Sequence, residues 1–141
     1  MKSLLYIANV RLPTEKAHGI QIVKTCEAIA SLGTQVELLV PNRKNFIKDD
    51  IFDFYKISKN FTIKKLPCLD FINFPFLKKF TFLLESFTFY LSVKKYTAKN
   101  KFDAYYTRDL LLAFFLSKKI KDVFYEVHSL PQKPDSKYIQ T

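Results

Sequence analysis

The first forty residues constrain the fold more than any other part of the chain. Leu4 to Val10, LLYIANV, is an almost continuous apolar run, as expected for a strand buried on both faces. A polar connection, Arg11 to Gly19, follows it. Ile22, Cys26, Ile29 and Ala30 then recur at helical spacing, with Val23 beside them. Gly33 stands where a helix ends on a left-handed residue. Val36 to Val40, VELLV, is a second buried strand, stopped by Pro41-Asn42. Strand, helix and strand in this order form a βαβ unit, which requires a parallel sheet. A parallel sheet requires helices on both of its faces.

The rest of the chain continues the alternation. Asn42 to Asn60 is charged and irregular, with a turn of helix expected around Asp49 to Phe52. Phe61 to Leu66 reads as a third strand, closed by Pro67. Cys68 to Pro75 is an aromatic loop. Leu77 to Ala98 is a long helix whose apolar face is expected to hold Phe80, Leu83, Leu84, Phe87, Leu91 and Val93. Phe102 to Thr107 is a fourth strand, and Asp109 can cap a helix over Leu110 to Lys119. Val123 to Val127 is a fifth strand, followed by a polar tail. The expected class is a Rossmann-like α/β parallel sheet flanked by helices. A chain that stops so soon after a strand reads as a domain cut short of its last elements.

Composition removes several functions. The chain has two glycines, Gly19 and Gly33, so neither the phosphate-binding P-loop nor the G-x-G-x-x-G dinucleotide fingerprint can be built. Its two cysteines form no C-x-x-C pair and no zinc framework. No H-E-x-x-H or comparable metal-ligand spacing occurs, so neither a metal nor another cofactor is expected. The start of the chain is too soon polar for a secretory leader. The longest apolar run, Leu110 to Leu116, is far below the ~20 residues of a membrane span. A cytoplasmic location is expected. Lys and Arg number 23 against 13 Asp and Glu, a net charge of +10. That field favours anionic partners: phosphates, sugar nucleotides, nucleic acid or a lipid surface. No RNP-like string supports nucleic acid. The Phe-rich helix admits two readings, a core helix or one lying on the inner face of a membrane with its lysines at the headgroups.

In open parallel sheets, ligands bind at the carboxyl ends of the strands. Those ends carry His18 and Gly19 after the first strand, Arg108 and Asp109 after the fourth, and Glu126, His128 and Ser129 after the fifth. Both histidines of the chain thus belong to one rim. His128 suits either a proton-transfer or contact group facing a cleft, or a loop brace. Gly19 suits either a close backbone approach to an anionic group or a tight turn. Arg108-Asp109 suits either a ligand-facing pair or a helix cap. His128 and Ser129, adjacent in sequence, make no nucleophile–base pair by adjacency alone.

Three segments carry a family resemblance. Tyr6 to Pro41, with the loop R-L-P-T-E-K-A-H-G-I-Q, resembles the start of the family 4 (group 1) retaining glycosyltransferases. Tyr105 to Asp109, YYTRD, resembles the end of their fourth strand, and Tyr125 to Pro131, YEVHSLP, their E-x-H segment. The resemblance implies a GT-B fold of two facing Rossmann-like domains, of which residues 1–141 would be the amino-terminal, acceptor-side one, incomplete at its end. The carboxyl-terminal donor-binding domain and its E-x7-E motif would be absent. Glu27 and Glu37, the glutamates nearest that spacing, fall on the first helix and second strand. The implied function is transfer of a sugar, with retention, from a nucleotide-sugar donor to a sugar or lipid-linked acceptor in glycan or cell-envelope polysaccharide synthesis. The 141 residues alone would be inactive. His128 would be the catalytic residue. His18, Gly19, Arg108, Glu126 and Ser129 would bind substrate, with roles in positioning and in stabilising the departing nucleoside diphosphate. The alternative is a non-catalytic Rossmann-like binding module, or one half of a split glycosyltransferase.

Overall fold

The computed structural model describes residues 2–71 and 78–127. Five strands, β1 (Ser3–Ile7), β2 (Gln35–Pro41), β3 (Thr62–Leu66), β4 (Ala104–Thr107) and β5 (Val123–Tyr125), form one parallel sheet in the order β3-β2-β1-β4-β5. The helices are α1 (Ala17–Ser31), α2 (Ile51–Tyr55), α3 (Lys78–Lys99) and α4 (Leu110–Ser117). This is the Rossmann-like α/β architecture expected from the sequence. Among the described residues, no helix is long and apolar enough to cross a membrane. The end of the aromatic loop at Pro75, together with His128, Ser129, Pro131 and the polar tail, lies outside the described residues.

The two-residue period of the strands divides the interior in two. Leu4, Tyr6 and Ala8 of β1 and its exit, with Val36, Leu38 and Val40 of β2, face α1 and α2. There they meet Ile22, Val23 and Cys26 of α1 and Ile51 and Tyr55 of α2. Leu5, Ile7 and Leu39 point to the opposite face and pack with Phe89 and Val93 of α3 and Leu112 and Leu116 of α4. Register aligns Leu4 with Val36 and Ala104, and Tyr6 with Leu38 and Tyr106. Gly33 has φ +86°, the left-handed end expected for α1.

Several boundaries differ from the sequence reading. The second strand runs through Pro41, the residue expected to stop it, and the helical turn expected at Asp49 to Phe52 is α2 at Ile51–Tyr55, with Asp50 as its cap. The third strand begins at Thr62, not Phe61, and α4 ends at Ser117, not Lys119. The first strand ends at Ile7, because only one further ladder bond forms, from Ala8 N to Leu39 O at 2.9 Å. Helix α1 begins at Ala17, so His18 and Gly19 lie in its first turn and not in the connection. Its Lys16 cap is extended, and Gly19 N donates to Lys16 O at 2.9 Å. The fourth strand begins at Ala104, not Phe102, and the fifth stops at Tyr125, leaving Glu126 and Val127 beyond it.

The buried face of α3 is a correction. Phe80, Leu83, Phe87 and Leu91 are 64%, 56%, 52% and 44% exposed. The side turned to the sheet is Glu85, Ser86, Phe89, Val93 and Thr97. The polar members are buried because they have partners. Glu85 Oε1 accepts from Phe71 N at 2.7 Å, and its Oε2 lies 3.8 Å from Arg43 Nε. Asp70 accepts from Lys44 N at 2.6 Å and pairs with Arg11. These contacts tie together the exits of β1, β2 and β3.

Candidate functional site at the β1–β4 carboxyl ends

The chain leaves β1 toward β2 on one side and reaches β4 on the other, so the strand order reverses between β1 and β4. A crevice opens at such a reversal because the two exits turn away from each other. Here it holds a cavity of about 410 Å³, lined among others by Asn9, His18, Gln21, Ile22, Arg108 and Asp109. Asn9 comes from the exit of β1, His18 to Ile22 from the first turns of α1, and Arg108 and Asp109 from the exit of β4.

Arg108 is held in place from two sides. Its Nη2 donates to Gln21 Oε1 at 3.1 Å, and its Nε lies 3.7 Å from Glu126 Oε2. The same carboxylate oxygen accepts from Tyr106 Oη at 2.7 Å. Burial, the bond to Glu126 and the nearby carboxylate charge push the Tyr106 hydroxyl up to about 12, so it remains a donor. His18 is pulled below its usual value, first by burial and then by the Lys16 and Arg108 charges. Its imidazole is therefore neutral at neutral pH and offers one donor and one acceptor.

Asp109 closes the far wall. Its Oδ1 accepts from Leu112 N at 3.1 Å and caps α4, as the sequence suggested. Its Oδ2 accepts from Asn9 Nδ2 at 3.4 Å, and the same Nδ2 donates to Ser86 Oγ at 3.0 Å. The Asn9 Oδ1 is buried and has no hydrogen-bond partner among the described residues.

Of the residues singled out from sequence, His18, Arg108 and Asp109 line one cavity, and Glu126 braces it through Arg108. His128 and Ser129 lie outside the described residues. Gly19 is buried next to the cavity for a packing reason. A Cβ there would sit 2.6 Å from Thr14 Cγ2 and collide with the Tyr55 hydroxyl. That hydroxyl accepts from Thr14 N at 2.8 Å and donates to Thr14 O at 2.7 Å. The Gly19 amide is committed to Lys16 O. Asn9, Gln21 and Tyr106 were not foreseen. Asn9 lay inside the apolar run, and nothing in its neighbours marks where the chain leaves the sheet. Among the described residues, no group of three or more His, Cys, Asp and Glu is placed to hold a metal ion.

No family model matches the sequence, and no curated protein matches it. The structure is similar to that of apo UGT2 of Phytolacca americana, with a TM-score of 0.57 and 13% sequence identity. The match covers 89% of this chain and 29% of that one, so this chain spans less than a third of the other's length. The similarity is one of fold, the Rossmann-like arrangement of an amino-terminal GT-B-like domain.

Proposed function

We propose that this chain is the acceptor-side half of a GT-B glycosyltransferase, which moves a sugar from a nucleotide donor to an acceptor hydroxyl with retention. The observation that carries the reading is the meeting of the R-L-P-T-E-K-A-H-G-I-Q loop and the YYTRD strand end in one cavity. Those are two of the three segments in which the sequence resembles the family 4 enzymes. The third segment contributes Glu126, which braces Arg108.

In this reading the cavity orients the acceptor. Asn9, Gln21 and the neutral His18 offer hydrogen bonds to sugar hydroxyls. Arg108, fixed by Gln21 and Glu126, supplies a positive end where charge grows on the departing nucleoside diphosphate. A preoriented cation costs no reorganisation during reaction, which is why its two braces matter. By the family resemblance, His128 would act on the reacting sugar and Ser129 would bind substrate; both lie outside the described residues. The donor site belongs to a second Rossmann-like domain, carried by the same polypeptide or by a partner chain.

The test uses the polypeptide that joins both halves. His128→Ala and Arg108→Gln should each lower kcat by about 100-fold while the folded state persists by circular dichroism. Residues 1–141 alone should neither transfer sugar nor hydrolyse a nucleotide sugar. Turnover by those residues alone, or an unchanged rate in both variants, would overturn the reading.

A further inference from the structure

The outer faces of α3 and α4 form one apolar surface. Phe80, Leu83, Phe87 and Leu91 recur on the side of α3 turned away from Phe89 and Val93, and all four are exposed. Leu111 and Phe114 are exposed on α4, whose Leu112 and Leu116 are buried. None of these six belongs to either buried cluster of the sheet. The two stripes meet in a groove of about 290 Å³ whose lining includes Leu83, Phe87 and Leu111. The Tyr90 and Phe115 rings also line it, with centroids 4.8 Å apart.

The surface changes character along its length. The same two rings, Tyr90 and Phe115, line a neighbouring pocket of about 190 Å³ together with Lys94, Lys101 and Lys119. Lys118 lies over Phe114, its Nζ 4.3 Å from the ring centroid. No acidic side chain on the two helices offsets these lysines. Helix α4 has none, and the one on α3, Glu85, is buried against Phe71 N and Arg43. Both helices start after the carboxyl end of one strand and finish just before the amino end of the next. The apolar part, in their first turns, therefore lies toward the rim that holds the β1–β4 cavity. The lysine part lies toward the opposite end of the sheet.

We propose that this two-helix surface docks the protein on an anionic lipid bilayer, with Phe80, Phe87 and Phe114 entering the acyl boundary and Lys94, Lys101 and Lys119 against the headgroup phosphates. Charge complementarity selects the occupant. A second copy would set lysines against lysines with no acid between them. Nucleic acid would meet the lysines and leave the apolar stripe in water. A bilayer of anionic lipids meets both parts at once. Of the two readings open to the Phe-rich helix, this is the second, with α4 joined to it. The gradient also sets an orientation: the apolar end enters more deeply, so the strand carboxyl ends are held close to the bilayer. The inference concerns the outer face of the helices and does not depend on what the cavity binds.

The experiment measures flotation of residues 1–141 with vesicles of phosphatidylcholine and with vesicles of equal parts phosphatidylcholine and phosphatidylglycerol. The chain has no tryptophan, so Phe87→Trp adds a single fluorescent reporter on the surface. Binding to the mixed vesicles should be about tenfold or more tighter than to phosphatidylcholine alone, and salt should weaken it. The reporter's emission should move to shorter wavelength and be quenched by brominated acyl chains. Lys94→Gln with Lys119→Gln should weaken binding by about tenfold or more. Phe87→Glu should do the same by about tenfold. Two controls lie on α1, across the sheet: Lys16→Gln with Lys24→Gln, which removes the same charge, and Leu32→Glu at an exposed position. Neither should change binding by more than about twofold. Equal binding to the two kinds of vesicle, or none, overturns the proposal. If the α1 lysine pair matters as much as the α3–α4 pair, net charge alone drives binding and the proposal falls. It falls too if the reporter does not move on binding, or if Phe87→Glu binds as well as the wild type. A dimer in the absence of vesicles that Phe87→Glu dissociates would make this face an interface between copies instead.

Discussion

Gly19 sits in the first turn of α1 with its hydrogens against Tyr55 and Thr14, so its conservation or loss is a packing question before it is a ligand question. In Gly19→Ala, a helix-propensity gain of about 1 kcal/mol opposes overpacking of about 1–3 kcal/mol. The Tyr55 hydroxyl cannot swing aside without giving up both bonds to Thr14. Urea unfolding should therefore show a net loss of about 1 kcal/mol. Tyr55→Phe removes the obstructing atom, so the double variant should lose less than the two single losses combined. Strict additivity would mean that the two residues do not collide. His18 makes a separate prediction. Burial, then Lys16 and Arg108, hold its folded pKa below the unfolded value of about 6.5. On acidification the unfolded chain takes up the proton first. The contribution of His18 is therefore full above the unfolded pKa and is lost as pH falls through the folded one. His18→Gln should unfold with less pH dependence than the wild type between about pH 7 and pH 5. A ring that titrates at or above 6.5 would contradict this. Strand-end logic led to His18, Arg108, Asp109 and Glu126, because ligand sites in parallel sheets follow from chain direction alone. The same logic could not reach Asn9 or Gln21, whose roles depend on where a strand stops and how α1 is rotated.

At the scale of elements, the central strands were legible because a sheet covered on both faces demands nearly continuous apolar runs, and LLYIA, VELLV and AYYT come close to that. Helix α3 was not, although its extent was. Apolar residues occur on more than one of its sides, so periodicity alone picked Phe80, Leu83, Phe87 and Leu91, which are exposed. The side that packs is partly polar, with Glu85, Ser86 and Thr97 buried beside Phe89 and Val93. No hydrophobic count would choose Glu85, which is buried because the Phe71 amide and Arg43 meet it there. Helix α4 depends on its cap. Asp109 satisfies Leu112 N through one oxygen and Asn9 through the other, so it fixes both the helix start and the far wall of the β1–β4 cavity. Asp109→Ala should cost about 1–2 kcal/mol in chemical denaturation. Asp109→Asn should recover most of that stability, since an amide oxygen caps as well as a carboxylate. If the Asn variant is as unstable as the Ala variant, the capping account fails and the carboxylate charge itself is what matters.

At the scale of the whole molecule, the central strands belong to two cores at once. Alternate residues of β1 and β2 feed opposite sides: Tyr6 and Leu38 pack toward α1, while Leu5, Ile7 and Leu39 pack toward α3 and α4. Neither layer of helices can be stripped from the sheet without exposing residues of strands that the other layer needs. The two clusters should therefore melt as one unit even though no side chain crosses the sheet. Ile22→Ala empties the α1 side, at a residue 2% exposed, and Phe89→Ala empties the α3 side, at a residue 0% exposed. Each should cost about 2–5 kcal/mol. Both should move the same single transition, with far-ultraviolet dichroism and tyrosine fluorescence superimposing in each variant. The two losses should also be nearly additive, since the substituted residues share no partners. A second transition in Phe89→Ala, with the α1 side still folded, would show instead that β3-β2-β1 and its helices form a separable unit. The cavity at the β1–β4 reversal would then lie on the boundary between a stable half and a loose one. In that case a ligand that bridges Asn9, Gln21 and Arg108 in that cavity should restore a single transition, because it binds only when both halves are in place.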